Sequence, residues 1–190
     1  MLTIYLYFFL YRSFNQKHIY PNIPVKALLD AISVDPQEKI RHHLNALFGA
    51  YFNLPKSTTF NYSRRTGRIK SFSFDNQLAG TLRTDGGIAL TLSGAEKLMK
   101  DPLFKTNCVI PIQEAVPFVS EGRSLFCKHV KWCGSNVKVG SDVVVIDDNE
   151  KILAVGRARI ASNMMKGFDA GVAVRVRQGI KSGTSTEGFV

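Results

Sequence analysis

The amino-acid sequence predicts an α+β protein with a helical N-terminal region, a small α+β domain and, in its last part, a small barrel of short strands. Three observations predict it. Between Ile40 and Tyr51 the apolar residues recur at helical spacing. From Tyr62 to Leu92 they alternate, in short runs closed by Asp-Asn and Asp-Gly-Gly turns. From Cys108 onward, many short apolar runs separated by glycine turns suit a barrel, whose closure removes exposed strand edges. The expected boundaries are 1–60 for an N-terminal extension and packing helix, 61–107 for the small α+β domain, and 108–184 for the barrel.

Composition narrows the function. With 190 residues, 45% of them hydrophobic, the chain is long enough to bury a core in one or two units. A charged fraction of 21% excludes a wholly disordered chain and a multi-pass membrane protein. Lys and Arg number 25 against 15 Asp and Glu, a net charge of +10 that favours a polyanionic partner, nucleic acid first. A basic but otherwise ordinary enzyme is the other reading of the charge.

The run Met1–Leu10 (MLTIYLYFFL) is almost wholly apolar but half the length of a membrane-spanning helix, which needs about 20 residues. It has neither a basic leading region nor a small-residue cleavage site, so no secretory signal is expected. Its content suits a strand or an interface segment, or a stretch upstream of the true start. The expectation is a soluble, cytoplasmic protein with no membrane partner. Residues 13–35 are polar and punctuated by Pro21 and Pro24, with a short apolar stretch at Val25–Ile32. A helix then opens on Asp35, with Pro36 in its first turn and Glu38 complementing the dipole. Ile40, Leu44, Leu47, Phe48 and Tyr51 form its apolar face, and Pro55 with Lys56–Thr59 is expected to end it. His42 and His43 point about 100° apart on such a helix and cannot chelate one ion.

Arg68–Phe74, Gln77–Arg83 and Ile88–Leu92 read as three strands. Ser93-Gly-Ala-Glu96 reads as a capping box opening a helix at Ala95–Lys100, stopped by Pro102. Arg64, Arg65, Arg68 and Lys70 lie at the entry to this unit with Tyr62 among them. Such a stretch can hold a phosphate backbone; it can equally be the solvated face of a hairpin. In the last part, Cys108–Ile112 reads as a strand, Ser124–Val130 as a short helix, and Asp142–Ile146 and Lys151–Ile160 as strands joined by the acidic turn Asp147–Glu150. Ala161–Gly167 reads as a turn or one helical turn. In Gly171–Arg177 the alternation sets Arg175 and Arg177 on one strand face. The tail Ser182–Gly188 is rich in Gly, Ser and Thr and is expected to fray. Cys108, Cys127 and Cys133 form no CxxC pair or disulfide pattern, which fits a reducing compartment. Cys127, His129 and Cys133 lack a nearby fourth ligand for zinc, so no metal or other cofactor is expected.

Three segments carry a family resemblance: EAVPFVSEGRSLFCKHV (114–130), VGSDVVVIDDNEKILAVGRARI (139–160) and GVAVRVRQGI (171–180). In order, spacing and turn positions they resemble a PUA domain, which implies a C-terminal PUA pseudobarrel. The likeness is closer still to the PUA domain that ends the archaeal archaeosine tRNA-guanine transglycosylases. Residues 63–99 (SRRTGRIKSFSFDNQLAGTLRTDGGIALTLSGAEKLM) resemble the small domain preceding PUA in those enzymes, through TGRI, LAGTLRTDGG and LSGA. Together about 130 residues resemble that C-terminal arm. Two departures are Ser162-Asn163-Met164, where the family places an acidic pair, and a less acidic Trp132–Asn136 stretch.

The resemblance implies tRNA binding, with the PUA surface on the acceptor stem and 3′ end. It places the RNA-binding edge at Gly122, Arg123 and Ser124, expected as a turn at a helix start, with Lys128 one turn further on; the charge distribution adds Arg157 as part of a basic face, and strand alternation adds Arg175 and Arg177. Arg64, Arg65 and Arg68 join them from the basic stretch. The family's chemistry resides on a zinc-containing TIM barrel, and such a barrel needs about 250 residues. The expectation is therefore a non-catalytic tRNA-binding subunit of a split transglycosylase, serving modification of D-loop position 15, with a partner chain supplying the barrel. Three alternatives stand beside it: a stand-alone PUA RNA-binding protein in tRNA or rRNA processing, an archaeosine synthase component, and a homodimer joined through the apolar N-terminus. No acid, base or metal group neighbours Asp85 or Asp147-Asp148 in the sequence, so no catalytic residue is assigned.

Overall fold

A computed structural model describes residues 35–165 and 167–182. The expectations for Met1–Leu10, for 13–34 and for the tail from 183 lie outside those residues. Helix α1 (Pro36–Phe48) buries Ile40, Leu44 and Phe48, which stack four apart along one stripe. It stops at Gly49, in the left-handed region at φ 67°, well before the expected end at Pro55. Tyr51, expected on the apolar face, is 84% exposed as a result. The helix end is tied down from two other parts of the chain. Asn107 Nδ2 donates to Phe48 O (2.8 Å) and Asn136 Nδ2 to Leu47 O (3.1 Å), filling acceptors that the helix cannot satisfy itself.

Strands β1 (Thr59–Tyr62), β2 (Ile69–Phe74), β3 (Gln77–Leu82) and β4 (Ile88–Leu90) form an antiparallel sheet in that order. β1 is an addition to the three expected strands; its residues are nearly all exposed, so they carry no alternation to read. Asn61 pairs with Ser71 and Tyr62 with Ile69, which leaves Lys70 as a bulge. That extra residue brings Ile69 and Phe72, three apart, to the same buried face. Asp75 and Asn76 both have positive φ (48° and 64°), the geometry that a two-residue hairpin turn requires. Helix α2 (Leu92–Leu98) starts earlier than expected, because its cap is Thr91 rather than the Ser93 box. Thr91 Oγ1 accepts from Gly94 N–H (3.1 Å), while Ser93 Oγ donates to Gln77 Oε1. Beyond Pro102 the chain makes a 3-10 segment, Pro102–Asn107, whose Phe104 ring meets Phe48 and Phe52 at 5.2 and 5.9 Å.

The last part is a six-stranded sheet: β5 (Cys108–Pro111), β6 (Leu125–Phe126), β7 (Val130–Cys133), β8 (Asp142–Ile146), β9 (Ile152–Ala158) and β10 (Val172–Gly179). Its spatial order is β6-β10-β9-β8-β5-β7, antiparallel except for the β5–β8 pair. The edge strands β6 and β7 are joined by only the 3-10 turn Cys127–His129. Edges of a flat six-stranded sheet would lie about 24 Å apart. A connection of four Cα steps spans at most about 15 Å, so the sheet curls into a nearly closed pseudobarrel. The expected helix at Ser124–Val130 does not exist. Leu125 and Cys127 are buried while Phe126 and Lys128 are exposed, a period of two that the ladder to β10 selects over a helix. The helical turns fall earlier, at Gln113–Ala115 and in α3 (Val116–Ser120), with Pro117 in its first turn. Helix α4 (Ser162–Met165) is the expected single turn.

β8 explains how the parts share a core. Val143 and Val145 point into the barrel with Val109, Leu125 and Val174. Val144 and Ile146 point the other way, into a cluster with Ile40, Phe72, Ile88 and Phe104. A strand buried on both faces reads as the unbroken run Val143–Ile146. Among the described residues no helix is long and apolar enough to cross a membrane.

Helix α2 lies hard against β3. A Cβ at Gly94 would stand 2.0 Å from Ala79 O and 2.7 Å from its carbonyl carbon, backbone atoms that cannot swing away. Gly94→Ala gains about 1 kcal/mol of helix propensity but must push helix and strand apart, an overpacking cost of about 1–3 kcal/mol or more. The variant is expected to unfold at lower urea concentration than the wild type; an unchanged or higher midpoint would contradict the contact.

Candidate nucleic-acid interface

The basic residues divide into those used inside the molecule and those left facing outward. Asp142, at the start of β8, is buried, with its side chain 3% exposed. Its Oδ2 takes Arg83 Nη1 at 2.6 Å and its Oδ1 takes Arg177 Nη1 at 3.1 Å. Arg177 also donates through Nη2 to Leu90 O of β4. Asp85 bridges Arg83 Nε (2.9 Å) and Arg157 Nη2 (2.8 Å), and Arg157 Nε donates to Gly140 O. Of these bonds, Arg83 to Asp142, Arg157 to Asp85 and Arg177 to Leu90 O run between the small sheet and the pseudobarrel. Arg157 and Arg177, expected to contact RNA, are each tied across the two sheets while their side chains stay partly exposed. Arg177 stands at a bulge, since Val176 pairs with Gly156 and Gln178 with Val155, so simple alternation with Arg175 breaks there.

Burial pushes the Asp142 carboxyl above its ordinary range, while Arg83 and then Arg177 pull it down. At Asp85 the hydrogen bond from Arg83, then the Gly87 N–H, hold the pKa down to about 2. Its folded value lies below its unfolded one, so the stabilisation from Asp85 is present above about pH 4 and is lost as pH falls toward 2. Arg83, Asp85, Lys138, Asp142 and Arg157 line a cavity of about 410 Å³ beside the end of α1. His43 Nε2 donates to Gly86 O (2.6 Å), which fixes its proton, because a carbonyl only accepts.

The edge formed by Gly122, Arg123 and Ser124 follows the C-terminal end of α3, not a helix start as expected. Gly122 is in the left-handed region at φ 97°, its N–H donating to Val119 O (2.9 Å), and Arg123 N–H donates to Phe118 O (3.0 Å). These backbone donors are used internally, so a phosphate here would be held by side chains. Gly179 of β10 backs the turn; a Cβ there would meet Ser120 O at 2.3 Å and Gly122 N at 2.5 Å. Arg123 lies over the Phe118 ring, 5.3 Å from its centre, and only loosely near Glu121 (3.5 Å). Phe118 is 50% exposed, so ring and guanidinium together offer a flat, cationic surface. Val174 pairs with Leu125 in the last rung of the β6–β10 ladder, and Arg175, the next residue of β10, is exposed and pairs with Arg157 on its other side. Lys128 is exposed on the turn just beyond β6. The sequence reading missed Phe118; an aromatic on the solvent side of a helix whose Val119 and Ser120 are buried was the available signal.

Arg64, Arg65 and Arg68 sit at the tip of the β1–β2 hairpin, all exposed, away from the Gly122 edge in both sequence and sheet. Cys108 is buried and its thiol is pushed up to about 12 by burial; Cys127 is buried and Cys133 half-buried. Among the described residues, no group of three or more His, Cys, Asp or Glu side chains is placed to hold a metal ion.

Asp142→Asn keeps the shape but leaves Arg83 and Arg177 without their counter-charge. Removing one partner of a buried pair costs about 3–5 kcal/mol; because both arginines are partly exposed, a loss of about 1–3 kcal/mol is expected. Urea unfolding at neutral pH measures it, and an unchanged midpoint would contradict the role assigned to this carboxylate.

Residues 109–180 match the family model of the PUA domain. The tRNA-guanine(15) transglycosylase of Methanosphaera stadtmanae is 32% identical over 135 residues, 70% of this chain and 20% of its own length. That of Methanobrevibacter smithii is 28% identical over 138 residues, 72% and 20% of the two lengths. The chain thus spans about a fifth of the length of the curated relatives it matches, and the part matched is their C-terminal portion. The solved PUA domain from Aeropyrum pernix K1 superposes with a TM-score of 0.56 at 15% identity, over 78% of this chain and 84% of its own, a likeness of fold alone. Residues 109–180 are a PUA domain, set in a chain that is similar over most of its length to the C-terminal portion of the tRNA-guanine(15) transglycosylases.

Proposed function

We propose that this chain is a tRNA-binding arm of an archaeosine-forming tRNA-guanine transglycosylase, non-catalytic itself, working in the cytoplasm with a separate chain that carries the zinc-containing TIM barrel. The observation that carries the reading is the 32% identity over 135 residues to the C-terminal portion of one such enzyme, which takes in more than the PUA domain's 72 residues. In this reading the PUA edge holds the acceptor stem and 3′ end. Arg123 and Arg175 take phosphates, Phe118 packs against a base or sugar, and Gly122 with Gly179 keeps the edge low enough for close approach. Lys128 extends the positive edge past β6. The net charge of +10 agrees with a polyanionic partner.

Arg123→Ala with Arg175→Ala is expected to weaken binding of intact tRNA by more than 1 kcal/mol, because charge-assisted bonds to phosphate are worth roughly 1.5–3 kcal/mol. Lys56→Ala with Lys151→Ala is expected to do little. Wild-type binding should fall steeply with salt as counterions are released. It should also favour tRNA with its 3′ terminal nucleotides over trimmed tRNA, a preference the arginine variant loses. Equal binding by both variants, or indifference to trimming, rules out the acceptor-end assignment.

A second measurement addresses the split. The purified chain should show no guanine exchange into tRNA, and a barrel chain recovered with it from native extract should supply that activity. Exchange by the chain alone overturns the reading; recovery with processing factors and no barrel chain favours a stand-alone PUA RNA-binding protein or an archaeosine synthase component.

A further inference from the structure

The hairpin between β1 and β2 brings four cations into seven residues with no acidic residue among them. Elsewhere Arg83, Lys97, Lys105, Lys131, Arg157 and Arg177 each have a carboxylate within 4 Å. At the hairpin Arg64, Arg65, Arg68 and Lys70 fall within seven residues, all exposed, and none has a carboxylate partner among the described residues. Four like charges so close repel one another, so the folded molecule gains nothing from them by itself.

The tip is also held in shape. Ser63 N–H donates to Arg68 O (2.8 Å) and Gly67 N–H to Ser63 O (2.9 Å), closing the turn, with Gly67 in the left-handed region at φ 64°. Buried Ile69 anchors its base in the core, and the Lys70 bulge follows at once. Arg64 and Arg65 thus stand on a fixed turn, which reduces the ordering that binding would otherwise cost. Tyr62, 46% exposed and paired with Ile69 across the ladder, adds a ring beside the cations. β1 is the outer edge of a sheet whose opposite edge, β4, meets the pseudobarrel through Arg177. Three strand spacings, about 14 Å, separate those edges, so the tip and the β4–pseudobarrel junction lie at opposite sides of the sheet.

We propose that the β1–β2 hairpin tip is a second RNA-binding site, gripping the sugar–phosphate backbone of the same tRNA at a point away from its acceptor end. The inference rests on the tRNA reading above. The tip reads charge and backbone shape, since four cations and a ring offer no set of acceptors and donors to discriminate base edges. Two contacts on one chain strengthen binding beyond either alone, provided that the RNA reaches both.

The test uses the full chain, an intact tRNA transcript and a minihelix of acceptor stem and 3′ end alone. Arg64→Ala/Arg65→Ala/Arg68→Ala should bind intact tRNA on the order of tenfold more weakly at about 0.1 M salt, with a log–log salt slope shallower by about 2. The same variant should bind the minihelix as the wild type does, whereas Arg123→Ala/Arg175→Ala should weaken on both RNAs. The triple Arg→Lys variant should keep most of the affinity for intact tRNA, which separates charge from folding. Wild-type binding of intact tRNA by the triple alanine variant overturns the proposal, as does an equal loss on the minihelix. Tip-dependent binding to phosphatidylserine vesicles with tRNA binding unchanged overturns it in favour of a lipid surface. If only the hairpin variant weakens tRNA binding, the hairpin site stands and the acceptor-end reading falls.

Discussion

The carboxylate of Asp142 is the constraint on which the arrangement depends. It is buried at the head of a strand that is itself buried on both faces, and it is met there by Arg83 from the small sheet and Arg177 from the pseudobarrel. An unpaired charge in that position would cost several kcal/mol, so any movement that separates the sheets must first break this pair. Asp85 repeats the device nearer the surface, with Arg83 on one side and Arg157 on the other. Asn107 and Asn136 do the same for α1, since each places an amide on a carbonyl at the helix end and Asn136 Nδ2 also donates to Asn107 Oδ1. Polar bonds set the geometry between the parts, while the shared apolar cluster supplies most of the driving force.

This division of labour sorts the positive charge. Arginines that face a carboxylate across the junction are spent on architecture. Those at the Gly122 edge and the β1–β2 tip remain directed outward on closed backbone turns. The same closure explains why the Gly122 edge works differently from a phosphate-binding helix start. Its backbone N–H groups already bond to Phe118 and Val119 carbonyls, so in the proposed reading recognition there falls to Arg123, Arg175 and the Phe118 ring. Side-chain recognition of this kind tolerates sequence and reads position, which suits a contact to the backbone and terminus of a folded RNA.

Much of this was legible in the residues. Ile40, Leu44 and Phe48 at helical spacing marked α1, the Asp75-Asn76 and Asp85-Gly86-Gly87 turns marked the small sheet, and the three segments between 114 and 180 marked the PUA domain. Misreadings occurred where a local pattern competed with a distant partner. Residues 125–128 alternate in burial because β10 lies beside Leu125 and Phe126. Thr91 displaced the Ser93 box because β3 fixes where α2 can begin, with Thr91 N–H on Ala79 O. β1 carried little signal because only Phe60 of its four residues packs against the core.

The sequence alone determined the elements whose cause is local: the amphipathic helix, the tight turns of the small sheet, the apolar runs of the barrel, and the surplus of positive charge. The tertiary structure decided which of those charges are ion-paired. Arg157, Arg175 and Arg177 are indistinguishable along the chain, because ion pairing depends on carboxylates 35 to 72 residues away in sequence. Only when Asp142 and Asp85 are brought to the junction do Arg157 and Arg177 become structural ties, leaving Arg175 exposed on β10, since Coulombic partners are chosen by distance in space.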